Sequence, residues 1–241
     1  MVNALRNAKQ IRSKSVFEAM LATDRGNYVD SVKARRHGRA PETETNNKEL
    51  AYCDEPQPIG SGATISAPHM HAMQLELLAE HCSKGAKVLD VGSGSGYISA
   101  CLARMVGPTG KVIAIEHVEE LDVLGRENVR RDDPELLSTI LFIWGDGRLG
   151  VPSEGPYMAI HVGAASPEQP TELIEQLAPG GRLVCPVGPA GGMQELLVVD
   201  KDKDTGKLHR KSESIVRFVP LTDVTEQIGP EKSSDNTVNY W

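Results

Sequence analysis

Short apolar runs alternate with amphipathic stretches along the middle of the chain. Strands are predicted at the apolar runs, and helices at the stretches whose apolar residues recur at helical spacing. The predicted strands are Lys87–Val91, Lys111–Glu116, Thr139–Trp144, Tyr157–Val162 and Arg182–Val187. The predicted helices between them are Tyr97–Val106, Val118–Arg130 and Thr171–Leu177. Such alternation predicts a parallel sheet with helices on both faces, and ligands on such sheets bind at the carboxyl ends of the strands.

The regions on either side of this alternation have weaker patterns. Residues 3–22 predict one or two short helices, and His69–His81 predicts another. Residues 31–51 are polar and aperiodic, which predicts a loop insertion, and Ile59–Pro68 predicts a shaped loop rich in Gly, Ser and Thr. The last two strands, Glu195–Asp200 and Ile215–Pro220, are expected to form an antiparallel pair. We therefore expect one domain over residues 1–228 and a flexible tail over 229–241.

Length, charge and cysteine spacing narrow the class of protein. The 241 residues suit one α/β domain, and 26 basic against 33 acidic residues give a formal charge of −7. This acidic balance disfavours a nucleic-acid partner, and the absence of an apolar run of about eighteen residues disfavours a membrane. The four cysteines are far apart and form no CxxC pair, so neither zinc nor disulfides are predicted. We expect a cytosolic monomer.

A glycine-rich turn follows the first predicted strand of the alternation. It reads Val88-Leu-Asp90-Val-Gly92-Ser-Gly94-Ser-Gly96, with glycines at three alternate positions before a helix. Glycine allows a tight turn and the close approach of a ligand. A dinucleotide fingerprint needs its third glycine at position 97, which is Tyr97, and no Gly-Lys-Ser/Thr follows for a P-loop. Binding of a pyrophosphate is therefore disfavoured.

Acidic residues follow the next two strands. Glu116 ends the second strand, where an acid can accept hydrogen bonds from ribose hydroxyls. Asp146, in Gly145-Asp146-Gly147 after the third, could accept one from an adenine amino group. Together these features favour a nucleoside ligand without phosphates, and S-adenosylmethionine fits. The alternative is that they are ordinary turns and a capping acid.

Several ordered segments of the chain resemble the protein-L-isoaspartate O-methyltransferase family, over about Val16 to Gln227. The most specific is Thr64-Ile65-Ser66-Ala67-Pro68-His69-Met70-His71-Ala72, whereas the glycine turn is shared by many methyltransferases. Further matching segments are Gly145-Asp-Gly-Arg148, Ala159-Ile-His-Val-Gly-Ala-Ala165, Leu177-Ala-Pro-Gly-Gly-Arg-Leu183, Pro186-Val-Gly-Pro-Ala-Gly-Gly192 and Val219-Pro-Leu-Thr-Asp223. The chain departs from the family at the long 31–51 stretch and at Met158, where Asp is usual.

The resemblance implies a Rossmann-like class I methyltransferase fold, with a doubly wound, mostly parallel seven-stranded sheet and a C-terminal antiparallel hairpin. It implies methyl transfer from S-adenosyl-L-methionine, leaving S-adenosyl-L-homocysteine, to the free α-carboxylate of L-isoaspartyl residues (and to D-aspartyl residues) in damaged proteins. Ser66 would be the active-site residue, and His161 and Val162 would bind the substrate peptide. The residues expected to hold the cofactor are Thr64, Ile65, His71, Asp90, Gly92, Gly94, Glu116, His117, Asp146, Gly147, Thr222 and Gln227.

Some alternatives remain open at this point. Ser66 could simply cap the helix that starts at Pro68-His69, as serine often does. His69, His71, His117 and His161 lack HExxH spacing and a carboxylate cluster, so no metal site is predicted. Rival functions are a methyltransferase for nucleic acid or a small metabolite, and a binding module that kept the pocket without activity.

Overall fold

The computed structural model describes residues 1–29 and 49–229. Most of the predicted 31–51 insertion, and the predicted tail after Gly229, lie outside the described residues. The helices are α1 (Val2–Asn7), α2 (Lys14–Ala22), α3 (Pro68–Leu78), α4 (Tyr97–Val106), α5 (Glu119–Asp132), α6 (Thr171–Glu175) and α7 (Val224–Ile228). The strands are β1 (Gln57–Gly60), β2 (Ala63–Ile65), β3 (Lys87–Val91), β4 (Lys111–Glu116), β5 (Ile140–Trp144), β6 (Tyr157–Val162), β7 (Leu177–Val187), β8 (Gln194–Lys201) and β9 (Leu208–Val216).

Seven strands form the central sheet, in the order β5-β4-β3-β6-β7-β8-β9. The strands from β5 to β7 are parallel, and β7, β8 and β9 pair antiparallel. The chain runs outward from β3 to β5 and then crosses back to β6, so the strand order reverses between β3 and β6. Open α/β sheets bind ligands at this switch point. The predicted fold class, including its antiparallel C-terminal strands, is confirmed.

Side chains of the central strands alternate between two apolar clusters. Val88 of β3 belongs to the larger cluster with helices α2 to α5, whereas Leu89 and Val91 belong to the smaller cluster on the opposite face. Because both faces are covered, these strands are continuous apolar runs, which is why the sequence pattern located them. Met158, which stands where the resemblance expects Asp, is half-buried against the larger cluster.

The last strand lies earlier in the chain than the sequence pattern predicted. The partner of β8 is Leu208–Val216, and not Ile215–Pro220. This edge strand is mostly exposed and polar, so it carries no apolar alternation, and the apolar run that follows drew the prediction instead. Part of that run has another partner: Ala165 donates to the carbonyl oxygen of Val219 at 2.8 Å, and Leu221 donates back to Ala165 at 2.7 Å. The chain thereby crosses the carboxyl ends of the strands.

Two smaller features complete the fold. The segment Ile59–Pro68, predicted as a loop, contains the antiparallel hairpin β1–β2, whose turn at Gly60 to Gly62 has positive φ angles. Within the described residues no helix has the length and apolar character to cross a membrane, and α5 has only 14 residues.

The glycine turn packs directly against the backbone of α5. Gly96 has a φ of +81°, and a Cβ placed on it would lie 2.9 Å from the carbonyl oxygen of Gly125. A Cβ on Gly125 would in turn lie 3.0 Å from the carbonyl oxygen of Gly94. Both glycines are therefore required for the loop and the helix to approach this closely.

We predict that Gly96→Ala lowers the free energy of unfolding by about 3 kcal/mol, because it combines backbone strain with a steric clash. The control is Gly206→Ala, at a φ of +68° in the β8–β9 turn, where a Cβ meets nothing within 4 Å. There only the backbone strain remains, about 1 kcal/mol. Denaturant unfolding of the two variants measures both values, and equal losses would contradict the clash.

Candidate active site

Two adjoining cavities open at the carboxyl ends of the parallel strands. The main cavity has an empty volume of about 540 Å³, its open mouth included, and the polar cavity about 370 Å³. The main cavity is lined by Ile59, Ala63, Thr64, Gly92, Gly94, Ile115, Glu116, His117, Leu121, Gly147, Gly163, Ala164, Val219, Pro220, Leu221 and Gln227. The polar cavity is lined by Thr64, Ile65, Ser66, His71, Gln74, Asp90, Gly92, Ser93, Gly94, Ser95, Tyr97, Ile98, His161 and Gly163. They share Thr64, Gly92, Gly94 and Gly163, so one ligand can extend through both.

Glu116 is the only acidic residue among those that line the main cavity in the described structure. One carboxylate oxygen accepts from the backbone N–H of Gly94 at 3.0 Å, and the other from His117 at 2.9 Å and Val118 at 3.1 Å. Burial raises the pKa of Glu116, and these three N–H donors oppose that shift. A carboxylate has about four acceptor positions, so room remains for a ligand hydroxyl.

The C-terminal helix α7 closes one side of the main cavity through Gln227. Its amide oxygen lies 2.7 Å from Nε2 of His117, and its amide nitrogen donates to the carbonyl oxygen of Ser61 at 2.9 Å. Gln227 therefore joins the end of β4 to the β1–β2 turn. The indole nitrogen of Trp144 donates to the carbonyl oxygen of His117 at 3.1 Å and supports the same corner.

Asp146 and Thr222 lie beside the main cavity and do not line it. Arg148 forms a bidentate pair with Asp146, Nε to Oδ1 at 3.0 Å and Nη2 to Oδ2 at 2.8 Å, and this pairing lowers the pKa of Asp146. The Thr222 hydroxyl donates to the Glu226 carboxylate. Both residues line a neighbouring cleft. To bind Asp146, an adenine would therefore have to compete with Arg148 for the carboxylate.

A buried hydrogen-bond network forms the floor of the polar cavity. Asp90 and His161 are opposite each other in the parallel pairing of β3 with β6, and Nδ1 of His161 lies 2.7 Å from one oxygen of Asp90. Ser99 of α4 donates to the other oxygen at 2.5 Å. All three residues are almost completely buried. Asp90 is therefore a positioning group for the His161 ring.

Unpaired polar atoms concentrate around the polar cavity. Among the described residues, Gln74 Oε1, Ser93 Oγ, Tyr97 Oη and His161 Nε2 are buried and have no hydrogen-bond partner, and all four residues line this cavity. Buried polar groups are nearly always paired, so a cluster of orphans indicates a place where a polar ligand binds. Such a ligand needs both donors and acceptors.

Ser66 does not cap α3. The residue that precedes the helix is Ala67, and no side-chain cap is formed there. The Ser66 hydroxyl makes no hydrogen bond within the described residues, whereas its carbonyl oxygen accepts from Arg25 at 2.8 Å. The capping alternative is therefore wrong, and the hydroxyl remains available at the polar cavity.

The structure brings most of the predicted site residues together. Those that line one or both cavities are Thr64, Ile65, Ser66, His71, Asp90, Gly92, Gly94, Glu116, His117, Gly147, His161 and Gln227. Val162 is not among them, since its side chain belongs to the smaller apolar cluster. Gly163 replaces it in both cavity walls. Gln74, Tyr97 and Arg25 were missed, because none of them carries a motif that separates it from an ordinary helix or turn residue, whereas His71 was predicted from the segment Thr64–Ala72. No group of three or more potential metal ligands occurs in residues 1–29 and 49–229.

Comparison with known proteins gives one consistent result. A family model described as protein-L-isoaspartate(D-aspartate) O-methyltransferase matches residues 1–226. Protein-L-isoaspartate O-methyltransferase 1 of Arabidopsis thaliana is 46% identical over 95% of this chain and 92% of its own length, and the Caenorhabditis elegans enzyme is 43% identical over 94% and 93%. A Plasmodium falciparum structure described as such a methyltransferase, in complex with S-adenosyl-L-homocysteine, is 33% identical with a TM-score of 0.77, covering 92% of this chain and 96% of that one.

We predict that stability falls as the pH is lowered through the range where His71 would titrate when unfolded. Burial, reinforced by the charges of Arg25, His161 and His69, lowers the pKa of His71 well below 6.5. Below about pH 6.5 the unfolded chain binds a proton that the folded chain does not, so the free energy of unfolding decreases by up to about 1.4 kcal/mol per pH unit. Denaturant unfolding of wild type and His71→Gln tests this. The variant should have the smaller slope below pH 6.5, and identical slopes would exclude His71 as the source.

Proposed function

This chain belongs to the protein-L-isoaspartate(D-aspartate) O-methyltransferase family, and we propose that it transfers a methyl group from S-adenosylmethionine to the free α-carboxylate of L-isoaspartyl residues (and to D-aspartyl residues) in damaged proteins. One observation carries the proposal beyond the family. A cavity suited to a phosphate-free nucleoside adjoins a polar cavity lined by Ser66, whose hydroxyl makes no hydrogen bond within the described residues.

The main cavity suits the adenosyl part of the cofactor. A Cβ on Gly92 would meet no protein atom within 4 Å, so this glycine faces open space where a ligand can approach the backbone. Glu116 offers an acceptor for ribose hydroxyls, and no Lys or Arg side chain is among the described residues that line this cavity. Phosphates would therefore find no cation, whereas a nucleoside without phosphates finds the groups it needs.

The polar cavity suits the polar end of the cofactor and the acceptor carboxylate. Its orphaned atoms include the donor hydroxyls of Ser93 and Tyr97 and the acceptor oxygen of Gln74. An amino-acid group with its ammonium and carboxylate can pair with both kinds. Ser66 and His71 line the same cavity and can donate to a carboxylate of the substrate.

The reaction needs little chemistry from the protein. When bound, S-adenosylmethionine supplies a methyl group on a positively charged sulfur, which an ionised carboxylate can accept without a strong base. An isoaspartyl α-carboxylate is ionised near neutral pH. We propose that Ser66 holds this carboxylate and that Gln227, with the segment Val219–Leu221, covers the main cavity and limits entry of water.

The remaining parts of the proposal concern partners and compartment. We propose that the chain acts as a monomer on isoaspartyl proteins in the cytosol and binds neither nucleic acid nor membranes. The net charge of −7 supports the absence of a nucleic-acid partner. The buried free thiols of Cys82, Cys101 and Cys185 support a reducing compartment.

We predict that the full chain methylates an isoaspartyl peptide and leaves the matched aspartyl peptide unlabelled. The aspartyl peptide lacks the free α-carboxylate at that residue, so the acceptor oxygen is missing. Transfer of labelled methyl from S-adenosylmethionine to the two peptides measures the difference. Equal labelling of both, or calorimetric binding of S-adenosylhomocysteine with no methylation at all, would contradict the proposed function.

We predict that Ser66→Ala lowers kcat/KM for the isoaspartyl peptide about ten- to a hundredfold and leaves the affinity for S-adenosylhomocysteine nearly unchanged. A hydrogen bond to a charged carboxylate is worth about 1.5–3 kcal/mol, which gives this range. The control is Ser138→Ala, far from both cavities, whose hydroxyl donates to the carbonyl oxygen of Glu135. Full turnover in Ser66→Ala would remove Ser66 from the mechanism.

A further inference from the structure

Arg25 is a completely buried arginine that belongs to no ion pair among the described residues. It lies in the 3-10 turn after α2. Its guanidinium donates to the carbonyl oxygens of Ala51 at 2.7 Å and Ser66 at 2.8 Å, and its third contact is Nδ1 of His71 at 3.3 Å. Arginine is almost never fully buried without a carboxylate, so this arrangement requires an explanation.

The position of Arg25 is directly behind the polar cavity. Two of its three partners, Ser66 and His71, line that cavity. The His71 ring stacks on Tyr97 with centroids 5.0 Å apart, and the Arg25 guanidinium lies 5.6 Å from the centroid of the same Tyr97 ring. Although burial lowers the pKa of Arg25 to about 10, the side chain stays charged at neutral pH. The cavity therefore has a fixed positive charge behind its wall.

The contact with Arg25 determines which nitrogen of His71 carries the proton. A guanidinium has only donors, so Nδ1 of His71 must be the acceptor and cannot be protonated. The proton of the neutral ring is then on Nε2, which has no partner within the described residues. His161 is the opposite case, because its Nδ1 faces the Asp90 carboxylate, which only accepts. With both rings in the neutral form, the two histidines would present a donor and an acceptor to one cavity.

The charges around His71 all act in one direction. Burial is the largest cause that disfavours the protonated ring, and the fixed charge of Arg25 in the 3-10 turn adds to it, as His161 of β6 and His69 of the same helix would if they were protonated. Tyr97 of α4 stacks on the ring as a neutral phenol, since burial raises its pKa. The nearest acid of the cavity, Asp90, is already engaged by His161 and Ser99. Among the described residues that contact the His71 ring, none favours its charged form.

We infer that Arg25 is a positioning residue for the methyl transfer. Its guanidinium fixes His71 as a neutral ring with the proton on Nε2 directed at the polar cavity, and its charge favours a bound carboxylate beside Ser66. The kinetic part of this inference rests on the proposed function, whereas the assignment of the His71 proton does not.

The first experiment is heteronuclear NMR of the histidine ring nitrogens in the full-length wild-type chain. The chain has seven histidines, and the variant His71→Gln identifies the His71 signals. We expect His71 to carry its proton on Nε2 alone and to stay neutral well below the pH at which an ordinary histidine titrates. A proton on Nδ1 of His71 at neutral pH would overturn the inference.

The second experiment compares Arg25→Met and Arg25→Lys with a matched control. Arg182→Gln removes an arginine that donates to the carbonyl oxygen of Leu77 on the same helix as His71 and pairs with Asp200, but does not contact His71. In Arg25→Met we expect His71 to populate both tautomers. We also expect kcat/KM to fall at least tenfold. Arg25→Lys, which keeps a cation, should retain the tautomer and most of the activity. Arg182→Gln should lower the Tm but change neither the His71 tautomer nor kcat/KM.

The outcomes separate this inference from the proposed function. Unchanged tautomer and turnover in Arg25→Met would overturn the role of Arg25 even if isoaspartyl peptides are methylated. If Arg25→Met does not fold, the test uses Arg25→Lys instead. A His71 that titrates near pH 6.5 in Arg25→Lys would also overturn the inference. A wild-type protein with the expected tautomer but no methyl transfer would overturn the proposed function and the kinetic part, and would leave the proton assignment standing.

Discussion

The buried hydrogen bond between Asp90 and His161 joins the two strand ends on which both cavities depend. These residues are partners in the register of β3 with β6, where the strand order reverses. The residues that follow line the cavities: Gly163 donates its N–H to Val91 at 2.8 Å, and a Cβ on Gly163 would lie 3.0 Å from the carbonyl oxygen of Gly92. A buried carboxylate is costly unless its oxygens are paired, and here His161 and Ser99 pair both. The hydrogen bond between Asp90 and His161 therefore stabilises the buried Asp90 carboxylate and sets the spacing of the cavity walls.

The sequence predicted the sheet well where burial leaves a pattern and poorly where it does not. Strands such as β3 and β4 are covered on both faces, so their apolar runs are unambiguous. The edge strand β9 is solvated, and its polar sequence carries no periodic signal. The short hairpin β1–β2 was missed for a related reason, since its glycine-rich turn dominates a segment of few residues. Pattern reasoning detects long, regularly buried segments, so it missed the solvated edge strand β9 and the two strands of only three or four residues.

Reasoning from the residues alone predicted the site only where chemistry follows a strand end, and the family resemblance added residues such as Thr64, Ser66 and His71. Glu116 was found because its place after β4 is fixed by the fold, and it lines the main cavity. Arg25 contacts residues that are 26, 41 and 46 positions away, and no local pattern reveals such a contact. For Ser66 the sequence left both a cap and a ligand role open, and only the position of Ala67 at the helix start excluded the cap. Residues whose roles arise from tertiary contacts require the structure.

Under the proposed function, the main cavity favours its ligand through one buried acid and through the lack of a Lys or Arg side chain among the described residues that line it. Glu116 keeps its charge stabilised by three backbone N–H groups, of which that of Gly94 belongs to the glycine turn itself. A phosphate charge about 4 Å from this carboxylate would be repelled by about 4 kcal/mol at an effective dielectric constant of about 20. A hydroxyl, by contrast, can donate to the same oxygen. In dinucleotide sites the glycine turn donates to a pyrophosphate, whereas here one of its N–H groups is already bound to Glu116. Under the proposed function, this one side chain would both accept a hydrogen bond from ribose and disfavour a nucleotide phosphate.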